Sequence, residues 1–262
     1  MISSPITTTM RTLVSLLLLG LLAGCATHDA PQRIALFAPF EGRYRELGYA
    51  ALYPARLALS DAGQAQVELL PVDDGGTIAT AMQRAQAIQQ DPQIQAVIVQ
   101  GYMATHPDVL AILADLPVII VGDWGTPPTS PQHVILAHTD LPQDNRRTPF
   151  EGMLTQSTGG EIIGMDAFRK ATTAALTLTT SGQLPTAAFT ERITASDPFA
   201  TAPNHLGMLT YDALMIALHE NPLDTVQYDG LSGEFQFVDG YWQQAPINTL
   251  RLVDGALIAA NE

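Results

Sequence analysis

Two adjacent carboxylates, Asp73 and Asp74, stand before Gly75 and Gly76 and are the most concentrated chemistry in the chain. Such a pair can ligate a cation. In a strand-to-helix turn it more often shapes the turn and faces the positive end of the next helix, and that is the expectation here. The six histidines are scattered. His133 and His138 flank a strand-like run and, an odd number of residues apart, fall on opposite faces, a poor metal pair. His219-Glu220 lacks the second histidine of a zinc-protease helix. Ser232 sits in Gly230-Leu231-Ser232-Gly233, which is not the Gly-x-Ser-x-Gly elbow of a hydrolase. There is no P-loop and no dinucleotide fingerprint. Nothing in these residues recommends an enzyme, and no cofactor is expected.

Cys25 is the only cysteine, so no internal disulfide can form. Arg11 precedes an apolar run from Leu13 to Leu22 that is too short to span a bilayer but suits a signal-peptide core. The run ends in Leu22-Ala23-Gly24-Cys25, which resembles the bacterial lipobox. That resemblance implies a signal peptide over 1–24, a lipid-modified Cys25 and an extracytoplasmic, membrane-anchored protein of the bacterial envelope. An ordinary cleaved signal, or an inert cysteine, is the alternative. Met10-Arg11 is a second possible start of the leader. The net charge is −14 and Lys170 is the single lysine. A nucleic-acid partner is disfavoured, because phosphate-binding surfaces need clustered Lys and Arg. Hydrophobic residues make up 47% of the chain, enough for a packed core.

Residues 25–32 read as a tether. Ile34 to Ala38 has the character of a strand buried on both faces. The turn Pro39-Phe40-Glu41-Gly42 leads to a helical pattern with Leu47, Ala51, Leu57 and Ala58 on one stripe, in which Pro54 should kink or interrupt the helix unless the geometry adapts. Gln66 to Val72 is a second strand. Thr77 is a plausible cap for a helix to Gln90. Ala96 to Val99 is a third strand, Pro107 to Ala114 a short helix, and Pro117 to Val121 a fourth strand. This alternation predicts an α/β fold, a parallel Rossmann-like sheet with helices on both faces. Beyond Pro127 the pattern loosens. Val134 to Ala137 is strand-like, Glu161 to Ala175 could be helical, and Leu176 to Thr180 is a strand or loop. Thr186 to Ile193 is a short helix and Leu206 to His219 a buried one. Gly230 to Phe237 and Asn248 to Leu252 are closing strands.

The stretch Ile34 to Gly63, IALFAPFEGRYRELGYAALYPARLALSDAG, resembles the opening of the type I periplasmic solute-binding proteins, the group that includes branched-chain amino acid receptors of ABC transporters. Leu209-Thr210-Tyr211-Asp212-Ala213 and Gly230 to Ile258 resemble that group's Tyr-Asp-Ala helix and its closing strands. The resemblance implies a first lobe over 33–126 and 200–250, and a shortened second lobe over 127–199 and 251–262. It implies a small polar ligand, such as an amino acid, and an ABC permease as partner. It also implies a cleft-facing set: Phe40, Glu41 and Gly42 in the first turn; Tyr102, Ala104 and Thr105 after the third strand; Asp123, Trp124 and Thr126 after the fourth. In such a set Thr105 and backbone N–H groups would receive a carboxylate, Asp123 an ammonium, and Tyr102 and Trp124 would wall an apolar group. The alternative is an envelope lipoprotein with a degenerate receptor fold, acting in protein–protein interaction.

Overall fold

A computed structural model describes residues 30–138, 147–150, 153–157, 176–219, 222–253 and 256–259. Cys25 and the helical expectation for Glu161 to Ala175 lie outside these residues.

Apolar runs make the central strands because they have nowhere else to go. β1 (Gln32–Ala38), β3 (Ile94–Val99) and β4 (Val118–Val121) are almost wholly buried. β2 (Val67–Asp73) takes the edge, with Pro71 and Glu68 in a strand that is only half-buried. β5 (His133–His138) pairs with β4, and β1 to β5 are all parallel neighbours. The sheet continues through β11 (Tyr241–Trp242), β10 (Glu234–Val238) and β9 (Gln227–Asp229), in the order β2-β1-β3-β4-β5-β11-β10-β9. From β1 the chain goes outward to β2, then crosses back to β3. The crevice between the carboxyl ends of β1 and β3 is therefore the switch point of the sheet, where ligands of such folds sit.

Five helices belong to the described residues: α1 (Arg45–Ala62), α2 (Ile78–Gln90), α3 (Pro107–Ile112), α4 (Ala187–Ser196) and α5 (His205–Ala217). Thr77 does cap α2, its side chain accepting from the Thr80 N–H. α5 is buried on nearly every face, packed between the sheet and α1. Pro54 does not interrupt α1, which runs through it. Proline leaves the Ala50 carbonyl without its helical donor. That carbonyl lies against Gly207 of α5, where a Cβ would stand 2.9 Å from it and 3.2 Å from Pro54 Cγ. The helices approach closely because position 207 has no side chain.

A second sheet has the order β13-β12-β8-β7-β6, formed by β6 (Arg147–Phe150), β7 (Met153–Ser157), β8 (Leu176–Ser181), β12 (Ile247–Val253) and β13 (Ala256–Ala259). It is antiparallel throughout. The boundaries expected from sequence shift accordingly. The run Val134 to Ala137 lies in the first sheet, since its apolar residues complete the row beside β4. α4 packs on α1, with Arg192 paired to Asp61, and its buried Phe189 meets Tyr211 of α5 edge-on. Asn248 to Leu252 instead pairs with β8 of the second sheet.

Candidate functional site

Three turns at the carboxyl edge of the first sheet, those after β1, β2 and β4, are held by carboxylates. Asp73, at the end of β2, accepts from the N–H groups of Phe40 (2.7 Å), Glu41 (2.9 Å) and Gly75 (2.9 Å). It thereby fixes the turn after β1 to the turn after β2. Gly48, in the first turns of α1, donates its N–H to the Pro39 carbonyl at 3.2 Å, and a Cβ there would collide with that carbonyl. Asp74 accepts from the Gly76 N–H at 2.8 Å, and Asp123 from the Gly125 N–H at 2.8 Å. Burial raises the Asp74 carboxyl above the ordinary carboxylate range. The Gly76 N–H opposes that rise and the neighbouring Asp73 charge adds to it. Asp123 is raised in the same way by burial, against the pull of the Gly125 N–H.

The predicted cleft residues divide. Phe40, Glu41, Gly42 and Tyr102 stand at the edge with part of their surface open. Ala104 and Thr105 are buried, and the Thr105 hydroxyl donates to the Gly101 carbonyl at 2.8 Å. Its oxygen closes the loop on itself, so the carboxylate-binding role given to Thr105 finds no open hydroxyl. Trp124 is buried as well, with Nε1 donating to the Val121 carbonyl at 2.7 Å. It covers the end of the sheet and braces Tyr102, whose ring meets it edge-on at 4.9 Å. Thr126 is nearly buried, and Asp123 stands apart with Tyr241 as its electrostatic neighbour.

What the structure brings together is a cavity of about 150 Å³ over the switch point, bordered by Glu41, Gly42, Tyr44, Asp74, Gly101 and Tyr102, among others. The rings of Tyr44 and Tyr102 meet edge-on at 6.0 Å along its side. Tyr44 went unnoticed in the sequence because it falls where the helix was expected to begin. It lies instead in a 3-10 turn, Gly42–Tyr44, and its ring meets that of Tyr102. Asp74 was weighed as a turn former, a role that it fills with one oxygen only. Gly101 has φ +99°, and a Cβ on it would stand 2.9 Å from Pro39 Cδ. Glycine is needed there for β1 and β3 loops to approach. No group of three His, Cys, Asp or Glu side chains that could hold a metal occurs among the described residues.

Two larger hollows lie elsewhere. One, of about 580 Å³, opens beside Pro117, Gln132 and His219 at the amino edge of the sheet. Another, of about 490 Å³, lies between α1 and α4 beside Arg56 and Arg192. Both are away from the strand ends that carry the polar loops.

No protein-family model matches the chain, and no curated protein matches it. Solved structures do. A solute-binding protein of an ABC transporter from R. palustris, in complex with benzoate, superposes with a TM-score of 0.63 at 11% identity, covering 88% of this chain and 95% of that one. The branched-chain amino acid transporter substrate-binding protein LivJ from Streptococcus pneumoniae, in complex with isoleucine, gives 0.61 at 12% identity over 87% of this chain and 98% of that one. A leucine-binding protein from Thermotoga maritima gives 0.61 at 13% identity, over 87% and 97%. At these identities the likeness shows the fold.

Proposed function

We propose that this chain, which has the fold of the type I periplasmic binding proteins, is an extracytoplasmic solute-binding protein working with an ABC transporter, held to the membrane by a lipid on Cys25. One observation carries the reading. A cavity with aromatic walls and a buried carboxylate opens at the switch point of the sheet, where ligands of such folds bind. Its size suits a small polar molecule such as an amino acid. The mechanism of such receptors is closure of two lobes over the ligand, after which the permease recognises the closed form. In this chain the second lobe would be the antiparallel sheet.

The test is a thermal-shift screen of the purified protein against amino acids, small peptides, sugars, aromatic acids and nucleosides. At about 100 times its dissociation constant a ligand adds roughly 2.7 kcal/mol of stability, a shift easily read. One chemical class should raise the melting temperature, and Tyr102→Ala should abolish the shift. A cooperative melt that no solute moves would sink the receptor reading and favour an envelope lipoprotein that contacts a protein partner. The anchor is tested separately: palmitate labelling in a bacterial host should occur with the native chain and vanish in Cys25→Ser.

A further inference from the structure

We propose that the hollow of about 490 Å³ between α1 and α4 is a second binding site, for an organic anion whose carboxylate or phosphate meets Arg56 and Arg192. It goes beyond the solute-binding reading and does not rest on it: among the described residues, none that borders the switch-point cavity borders this hollow. The chain carries 12 Lys and Arg against 26 Asp and Glu, so a guanidinium should readily find a carboxylate. Arg56 makes no ion pair or hydrogen bond among the described residues. Its guanidinium carbon lies instead 6.0 Å from the centre of the Tyr53 ring. Arg192 reaches the same hollow from α4. Its Nη2 donates to Asp61 Oδ2 on α1 at 2.5 Å, and that oxygen also accepts from the Tyr211 O–H at 2.7 Å. Tyr211 is a buried residue of α5, so Asp61 is tied to the core and holds the guanidinium at the hollow.

Both arginines are thus held by contacts that leave N–H donors over, and a planar guanidinium with spare donors is the fork that carboxylate and phosphate fit. The rest of the lining suits an apolar body. Tyr53 and Leu57 supply half-buried apolar surface, and Ser60 adds a hydroxyl with no hydrogen bond among the described residues. Asp197 is the acidic member of the lining, and its Oδ1 is taken by the Phe199 N–H at 2.8 Å. That bond places Phe199, which is 80% exposed, next to the hollow. Aromatic and arginine side chains gathered in this way mark binding surfaces. The volume falls within the roughly 300–1,000 Å³ of small-molecule sites. A net charge of −14 repels an anion at long range, so affinity has to come from these contacts.

Calorimetric titration of the full chain with phenyl phosphate, phenol and inorganic phosphate decides it. Phenyl phosphate should bind, inorganic phosphate more weakly, and phenol not at all. Arg56→Gln changes an exposed residue of α1 and should weaken phenyl phosphate at least tenfold while the melting temperature holds. The same variant should keep the thermal shift given by the solute of the broad screen. Short-chain phosphatidylglycerol, kept below its micelle threshold, separates the two sources of such an anion. Tighter binding than phenyl phosphate, lost in Arg56→Gln, names a lipid headgroup; weaker binding names a free solute. Phenol binding as tightly as phenyl phosphate would overturn the assignment, as would silence toward phenyl phosphate or an unchanged affinity in Arg56→Gln. Loss of the broad-screen shift in Arg56→Gln would overturn the separateness of the site. Silence in the broad screen with phenyl phosphate still bound through Arg56 fells the receptor reading and leaves this site standing.

Discussion

At the scale of single residues, two buried ionisable groups on α5 pull stability in opposite directions with pH. Asp212 is fully buried and accepts from the N–H groups of Leu231 (2.9 Å) and Ser232 (2.7 Å), which pins the turn before β10 to the helix. Burial pushes its carboxyl up to about 6 from an ordinary 3.8, despite those donors. His205 is buried with Nε2 unpartnered, and burial lowers it to about 4 from 6.5. Linkage sets the signs. Between pH 4 and 6 the folded chain holds a proton on Asp212 that the unfolded chain gives up, so that contribution is present at low pH and lost as pH rises through about 6. His205 does the reverse: the unfolded chain takes up the proton, and stability is gained as pH rises from about 4 to 6.5. Each shift of about two units corresponds to roughly 3 kcal/mol at most, so these two contributions nearly cancel across this range. Asp212→Asn should leave a stability that climbs with pH, and His205→Gln one that falls. Urea midpoints measured from pH 4 to 7 check both. Parallel slopes in the two variants would refute the opposition.

At the scale of elements, the packing of α1 on α5 hangs on one missing side chain. Gly207→Ala sets a methyl 2.9 Å from the Ala50 carbonyl, and overpacking of that kind costs about 1–3 kcal/mol. Pro54→Ala restores a donor to that carbonyl and removes the ring at 3.2 Å. The double variant should therefore lose less than the sum of the single losses, whereas strict additivity in denaturant melts would mean that the two positions do not share this contact. This contact also marks where sequence reading stops. β1, β3 and β4 are legible because each carries an uninterrupted apolar run of four or five residues, Ile34 to Ala38, Ala96 to Val99 and Val118 to Val121. α2 is legible because Thr77 is a local cap. Gly207 carries no local signal, since its reason is another helix. The site was half legible for the same cause. The Pro39–Gly42 turn and the Gly101 loop stand out by composition, yet whether Thr105 and Trp124 face outward depends on bonds to Gly101 and Val121 that spacing does not encode. The strands of the second sheet were the hardest to read. β8, Leu-Thr-Leu-Thr-Thr-Ser, mixes polar and apolar residues, and its Thr180 and Ser181 are nonetheless buried.

At the scale of the whole molecule, the chain passes between the two sheets three times, after β5, after β8 and after β11. Two of these passages run side by side and are bonded to each other: Gly182 N–H donates to the Pro246 carbonyl at 2.7 Å, and the Asn248 side chain donates to the Gly182 carbonyl at 2.5 Å. Gly182 has φ +87°, and a Cβ there would stand 3.0 Å from Leu209 Cδ2 and 3.2 Å from Ser232 Cβ. A narrow, paired crossing with a glycine at its centre is where a few dihedral changes could swing one sheet against the other. The cavity at the switch point is lined by loops of the first sheet and the first turn of α1, and the proposed receptor mechanism has the second sheet close over it. X-ray scattering should then show the radius of gyration falling when the solute found in the thermal-shift screen is added to saturation. Gly182→Ala should weaken that contraction and the affinity together, because both draw on the same hinge. Full thermal stabilisation with an unchanged scattering curve would instead mean that the first sheet and its loops hold the ligand alone, and that the antiparallel sheet serves the contact with a partner.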